Sequence, residues 1–195
     1  MRNSALRDTI HRLRLTQLFA LLGLGLGFAA PATAAPKCEA AAYVKSAGQA
    51  YDRAAGSKSS SAFASATGRY TDLKALSLFA LGRYRKELPR AREAEYYALT
   101  RKFIGEFMVE YGRGFRASSL EIVDCKNSGG TIVVGTRLST GGKVIFRVVK
   151  AGGGYQIRDL NLKGIWLAQQ LRSTFVGTMS RDGGGIDALF KYLKS

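Results

Sequence analysis

The spacing of apolar residues changes twice along the chain, and this change constrains the fold more than any other feature of the sequence. Between residues 39 and 115 large apolar residues recur at helical intervals, and from 117 to 162 they alternate with polar residues. From residue 164 the helical interval returns. Helices, then one set of strands, then helices again predict an α+β domain with helices folded over one sheet face.

The helical segments are separated by glycine, serine and proline residues, which interrupt helices or lie at their ends. Asp72 is predicted to cap a helix. Pro89 either ends that helix or lies in the first turn of the next one. The segments predicted to be helical are 39–55, 63–66, the one that begins at Asp72, 90–115, 166–179 and 186–193.

The alternating segment predicts a twisted, four-stranded antiparallel sheet. Short turns that contain glycine separate the strands, which is typical of an antiparallel meander. The predicted strands are 120–125, 131–138, 143–150 and 155–162.

Residues 1–34 have the composition of a cleaved signal peptide. Four arginines precede an apolar run over residues 15–30, and small residues follow at the positions that a signal peptidase reads. We place the cleavage after Ala34. Residues 35–195 are then predicted to form a single exported domain, long enough to bury a core.

The predicted mature chain contains no histidine, because the one histidine of the sequence is His11. This excludes Ser/His and Cys/His nucleophile schemes and removes the commonest zinc ligand, so we predict no metal and no cofactor. Cys38 and Cys125 are an even pair in an exported chain, which favours one disulfide over two free thiols.

Basic residues strongly exceed acidic ones. The chain has 30 Lys and Arg against 14 Asp and Glu, a formal net charge of +16. Such a surface attracts anionic partners. For an exported protein anionic lipid is favoured over nucleic acid, for which the sequence has no motif. The alternative is that the charge only maintains solubility.

Asp159 is the best candidate for a catalytic group. It lies where the last predicted strand ends and an apolar segment begins, so burial could raise its pKa and make it a base. We favour the alternative that it accepts hydrogen bonds and holds the strand–helix corner. No second acid, base or nucleophile lies at a compatible spacing.

The predicted helices carry more large apolar residues than one sheet face requires. In ALSLFALG, residues 75–82, apolar residues lie on every side of the helix. Two interpretations remain open: a well-filled core, or a pocket for an apolar ligand with a basic mouth.

Two blocks of the sequence stand out together. The first is LFALGRYRKEL, residues 78–88, followed by FMVEYGRGF, residues 107–115. The second is IRDLNLKGIWLAQQLRSTFVGTMSRDGGGIDALFKYL, residues 157–193. In this order they resemble the MlaC family of periplasmic phospholipid-binding proteins, also called toluene-tolerance or auxiliary ABC-transport proteins. In the second block the family's characteristic positions are occupied by Asp159, Gly164, Arg172, Phe175, Leu189 and Leu193.

The resemblance implies a monomeric periplasmic carrier without enzymatic activity, which moves lipid between the outer membrane and an inner-membrane ABC transporter. The implied partners are a phospholipid, the transporter complex with its MCE-domain subunit, and an outer-membrane lipoprotein complex; nucleic acid is not among them. Acyl chains would lie in a deep pocket between helices and sheet.

We predict that the pocket is lined by residues from several inferred apolar faces. They are Leu76, Phe79, Phe103, Phe107, Tyr111, Val133, Phe146, Trp166 and Phe175. Arg83 and Arg172 are predicted to serve the pocket rim, a docking surface, or a pairing with Asp159.

Three residues depart from the family pattern and affect the predicted ligand. Arg85 and Tyr155 stand where tryptophans are expected, and Trp166 occupies a position that is often small or polar. A hopanoid or another apolar lipid is therefore an alternative ligand. The alternative functions are a small α+β enzyme with Asp159 as base, and an adaptor that docks on transporter subunits without a ligand.

Overall fold

The computed structural model describes residues 37–111, 120–181 and 183–195. The predicted signal peptide and the last residues of the predicted long helix lie outside these residues. All of these described residues belong to one compact unit. In the described ranges no helix is long and apolar enough to cross a membrane.

Helices precede and follow the strands, as the sequence predicts. The helices are α1 (Ala41–Ser57), α2 (Ser60–Tyr70), α3 (Leu73–Ala80), α4 (Glu93–Tyr111), α5 (Leu167–Arg181) and α6 (Gly185–Lys194). Two 3₁₀ segments, Gly82–Glu87 and Arg90–Arg92, connect α3 to α4.

Over the described residues the strands form one antiparallel sheet of five, in the order β1-β2-β3-β4-β5. The strands are β1 (Glu121–Ser128), β2 (Thr131–Arg137), β3 (Lys143–Ala151), β4 (Gly154–Leu162) and β5 (Ile165–Trp166). The predicted α+β class is confirmed, whereas the predicted number of strands, four, is one too low. The fifth strand has only two residues and lies where the sequence predicts the start of a helix, so its alternation is too short to recognise.

Side-chain caps fix the starts of α2 and α3. The hydroxyl of Ser59 accepts the N–H of Ala62 at 3.2 Å, and α2 is therefore longer than the predicted 63–66. A carboxylate oxygen of Asp72 accepts the N–H of Ala75 at 3.0 Å, which confirms the predicted cap. The helix ends at Ala80, well before Pro89, because Gly82 adopts a φ of +54° and turns the chain out of the helix.

Paired glycines form the two tightest turns of the sheet. Gly129 and Gly130 join β1 to β2 with φ of 57° and 81°, and Gly152 and Gly153 join β3 to β4 with φ of 56° and 77°. Positive φ at both central residues defines the two-residue turn whose twist matches that of antiparallel strands. These turns fix the strand register, Ser128 opposite Thr131 and Ala151 opposite Gly154.

One face of the sheet belongs to the closed core. Its buried side chains are Ile132, Val134, Phe146, Val148, Ile157 and Leu160. The largest buried side chains of the helices, among them Tyr96, Ile104 and Phe175, belong to the same cluster. The hydroxyl of Tyr96 donates to the carbonyl of Ser77 at 2.7 Å, so the ring of α4 is held against α3.

The residues before α1 are tied to the sheet by a covalent bond and an ion pair. Cys38 forms a disulfide with Cys125 on β1, with 5.6 Å between the Cα atoms. Lys150 on β3 lies 2.7 Å from a carboxylate oxygen of Glu39. The disulfide closes a loop of the chain that contains the first four helices, so it restricts the unfolded state strongly.

Candidate functional site

A cavity of about 590 Å³ lies between α3, the sheet and the start of α5. Helix α3 contributes an apolar wall of Ala75, Leu76, Leu78 and Phe79. The ring of Phe79 is 39% exposed although it is large and apolar. At roughly 30 Å³ for each water-sized group, the cavity has room for roughly twenty such groups, a size typical of small-molecule sites.

The opposite wall is formed by the sheet face that the closed core does not use. Thr131 pairs with Val149, and Arg147 pairs with Asp159 in the sheet register, so their side chains share one face. All four line the cavity. Because side chains alternate along a strand, Val148 between Arg147 and Val149 points to the closed core instead.

A bulge in β4 brings a second arginine to this wall. Arg158 and Asp159 both line the cavity, although neighbouring residues of a regular strand point to opposite faces. Arg147 pairs with Asp159 and Val148 pairs with Ile157, so Arg158 is the extra residue of the bulge. The bulge therefore places two charged side chains at the same cavity.

Asp159 is a buried carboxylate with partners on both oxygens. It is 6% exposed, and its Oδ1 accepts the N–H groups of Leu160 at 2.9 Å and Ala168 at 3.0 Å. Its Oδ2 lies 3.6 Å from a guanidinium nitrogen of Arg147. Ala168 is in the first turn of α5, whose N–H groups have no partner within the helix. Asp159 therefore holds β4 to α5.

Burial raises the pKa of Asp159, because an anion loses solvation in this position. The two backbone hydrogen bonds and the charge of Arg147 oppose this shift. With both oxygens engaged, the carboxylate has the environment of a structural anchor, in agreement with the interpretation that the sequence favours.

Two cavity arginines are oriented by neighbours of their own. The guanidinium of Arg147 lies 3.8 Å from the centre of the Trp166 ring, in cation–π geometry. The Nε of Arg158 lies 2.9 Å from Oδ2 of Asp72, the residue that caps α3. Arg158 thus connects the sheet wall to the helix wall.

The remaining arginine of the wall, Arg85, comes from the 3₁₀ segment that follows α3. Of the two predicted rim residues, Arg172 approaches a residue of the wall. Arg172 on α5 places its guanidinium 5.1 Å from the centre of the Phe79 ring. Arg83 donates to the hydroxyls of Tyr84 and Ser180, each at 3.0 Å, and is exposed. In the structure Asp159 pairs with Arg147, and not with Arg83 or Arg172.

The predicted pocket residues do not all meet in one place. Leu76 and Phe79 line the cavity. Val133 lies on the cavity face of the sheet, since it pairs with Arg147 in the register, but it is not part of the wall. Trp166 lies beneath Arg147 at the edge of the site. These four residues are the ones that the structure groups around the cavity.

Phe107 and Tyr111 lie elsewhere, in an apolar cleft of about 30 Å³ between α4 and the end of β4. Their rings stack with centroids 4.2 Å apart. The cleft also contains Leu162 and Ile165. It is too small for an acyl chain, since it holds about one water-sized group.

Phe103, Phe146 and Phe175 pack in or against the core and are not part of the cavity wall. The rings of Phe103 and Phe175 meet edge to face with centroids 5.4 Å apart. Phe146 pairs with Val134 and Leu160 in the sheet register, on the closed face. Helical periodicity identifies an apolar face but not what covers it, and this is why core and wall residues could not be separated.

Sequence reasoning did not nominate the arginines of the wall. Arg147 was recognisable as a charged residue between Phe146 and Val148 in a strand, and Arg85 as a departure from the family pattern. No pattern in the sequence indicated that Arg158 faces the cavity, because it does so only through the bulge in β4.

The fold and cavity define a class: an α+β binding protein with a pocket between helices and sheet, one wall apolar and the other rich in arginine. The model of the MlaC protein family matches residues 43–195, and the chain belongs to this family. The family resemblance seen in the sequence is thereby confirmed.

A solved structure shares this fold. It is a phospholipid-binding protein from Ralstonia solanacearum, determined in complex with a phospholipid. The TM-score is 0.66 at 17% identity, over 78% of this chain and 93% of that one. No curated protein sequence matches the chain.

Proposed function

We propose that this chain is a phospholipid carrier that holds acyl carbon in the cavity beside α3. The observation that carries the proposal is the pairing of an apolar helix wall with an arginine-bearing sheet wall around one cavity. A phospholipid has the matching parts, apolar chains and a phosphate. The family and the phospholipid complex of the structural neighbour support the same ligand class.

The cavity volume corresponds to one acyl chain with part of a headgroup, at roughly 30 Å³ for each water-sized group. Each methylene buried gains about 0.8 kcal/mol over water. Spontaneous loss of such a chain to water is therefore slow. Release requires an apolar acceptor, either a membrane or a partner protein with its own binding site.

We further propose that the carrier works in the periplasm, after cleavage of the signal peptide over residues 1–34. The disulfide of Cys38 and Cys125 supports an oxidising compartment. The proposed partners are an outer-membrane lipoprotein complex and an inner-membrane ABC transporter with its MCE-domain subunit. The high positive charge supports approach to anionic membrane surfaces.

An enzymatic role for Asp159 is less well supported than binding. A general base must be free to accept a proton from a substrate. Oδ1 already accepts two backbone N–H groups and Oδ2 faces Arg147, so the carboxylate serves the fold.

Native mass spectrometry tests the proposal. The protein is exported in a Gram-negative host, purified without detergent, and the co-purified lipid is extracted and identified. We expect a stoichiometric phospholipid adduct. A bare protein, also after incubation with vesicles of bacterial phospholipid, contradicts the proposal.

A pair of variants locates the ligand. Phe79→Asp places a charge on the cavity wall and is expected to abolish the adduct, since burying an unpaired charge beside an acyl chain is costly. Val123→Asp is the control, because Val123 is equally exposed, at 36% against 39%, but lies on β1 outside the cavity. Retention of lipid by a folded Phe79→Asp protein places the ligand elsewhere.

A further inference from the structure

The cavity wall carries more positive than negative charge. Arg85, Arg147 and Arg158 line it, and Asp159 is the carboxylate on its described wall. Asp72, which pairs with Arg158, lies beside the wall. Three guanidinium groups are thus set against two carboxylates.

Arg147 and Arg158 retain free hydrogen-bonding capacity. A guanidinium has five N–H donors. Arg147 approaches Asp159 only to 3.6 Å, and Arg158 meets Asp72 through its Nε, which leaves its two terminal nitrogens for another acceptor. Trp166 and Asp72 hold the two arginines in place, so little further ordering is needed to bind an oxyanion.

Arg85 supplies the uncompensated charge. Within the described part of the chain it has no ion-pair partner, in contrast to the other two arginines of the wall. It belongs to the 3₁₀ segment after α3 and lines the cavity together with Phe79. An anion at the cavity would neutralise it.

We infer that the cavity selects phospholipids whose headgroup has a net negative charge, as in phosphatidylglycerol, over zwitterionic ones such as phosphatidylethanolamine, and that Arg85 determines this selectivity. The inference rests on the proposed lipid binding. Both headgroups offer a phosphate to the guanidinium groups. The ammonium of a zwitterionic headgroup is repelled by the uncompensated charge, and an uncharged glycerol is not.

The test is a competition between two lipids in one vesicle. The protein is incubated with vesicles of equal parts phosphatidylglycerol and phosphatidylethanolamine, reisolated, and its bound lipids are quantified by mass spectrometry. We expect about fivefold enrichment of phosphatidylglycerol, the size of one partly exposed charge interaction. Arg85→Gln is expected to lower the enrichment below about twofold.

Lys86→Gln is the matched control. It removes the same charge from the next residue of the same 3₁₀ segment, outside the cavity wall. It is expected to keep the wild-type enrichment, which separates a local effect of Arg85 from a general attraction of the protein to anionic vesicles. Equal loss of enrichment in both variants overturns the assignment to Arg85.

The outcomes distinguish the failure of this inference from the failure of the proposed function. Bound lipid in the vesicle ratio overturns the selectivity and leaves lipid binding intact, whereas the absence of bound lipid overturns both. Excess inorganic phosphate distinguishes the two sources of a phosphate group. Undiminished enrichment supports a lipid headgroup as the ligand, and its loss assigns the arginines to free phosphate.

Discussion

Val148 and Val149 are neighbours on β3, yet Val148 is fully buried in the closed core and Val149 lies on the cavity wall. The same division runs through β2 and β4. One face carries apolar side chains and Thr136 in the core, whereas the other carries Arg147 and Asp159 beside Thr131 and Val149. The pleat of the sheet thus separates stability from the proposed binding: the closed face holds the fold together, and the other face lines the cavity.

The largest difference in the free energy of unfolding is expected between variants of two phenylalanines, Phe146 in the closed core and Phe79 on the cavity wall. Phe146→Ala is expected to lower the free energy of unfolding by about 3–5 kcal/mol, because the ring is fully enclosed. Phe79→Ala is expected to lower it by less than about 1 kcal/mol and to weaken lipid retention instead. Denaturant unfolding measures the stability of the two variants, and quantification of co-purified lipid measures their lipid retention. Equal stability losses would mean that the cavity wall is part of the core.

A finer comparison uses the two valines. Val148→Ala is expected to cost about 2 kcal/mol, the transfer of two methyl groups with a small cavity added. Val149→Ala, the control of identical chemistry, is expected to cost less than about 1 kcal/mol, because the site is already open to a cavity. Thermal unfolding of the two variants checks this. A larger cost for Val149→Ala would contradict the assignment of the faces.

The smallest effect concerns the carboxylate at the boundary of the cavity. Burial raises the pKa of Asp159 in the folded state above its ordinary value of 3.8. Between pH 3.8 and the raised pKa, the folded state binds more protons than the unfolded state. The contribution of Asp159 to stability therefore falls as the pH rises through this range. Asp159→Asn keeps the Oδ1 acceptor and does not titrate.

The measurement for Asp159 is the unfolding free energy of the wild type and of Asp159→Asn across mildly acidic pH. The stability of the variant relative to the wild type is expected to increase as the pH rises from 3.8 through the raised pKa. The subtraction removes the other titrating groups. A relative stability that decreases over this range would show that Arg147 and the hydrogen bonds outweigh burial.

The change of hydrophobic spacing was sufficient to predict the α+β class and the first four strands. Glycine pairs at 129–130 and 152–153 marked the hairpins, because few other residues adopt the positive φ of their turns. The Asp72 cap was readable for a similar local reason: its carboxylate serves an N–H three residues ahead. The end of α3 was not readable, since one glycine can lie within a helix or end it.

The site was less accessible to sequence reasoning than the fold. Leu76 and Phe79 could be nominated from an apolar helix face, but so could Phe103 and Phe175, which pack against each other. Which face remains uncovered depends on the arrangement of several elements. Arg158 reaches the cavity only through an irregular strand pairing, which no local pattern of residues announces.

The stack of Arg147 on Trp166 has a practical consequence, because Trp166 is the only tryptophan of the chain. Its fluorescence therefore reports on a single place, at the edge of the cavity. A phosphate that draws the guanidinium away from the indole changes the electric field at the ring, and the emission changes with it. Under the proposed function, Trp166 would act as an optical sensor of cavity occupancy, and lipid transfer could be timed without a label.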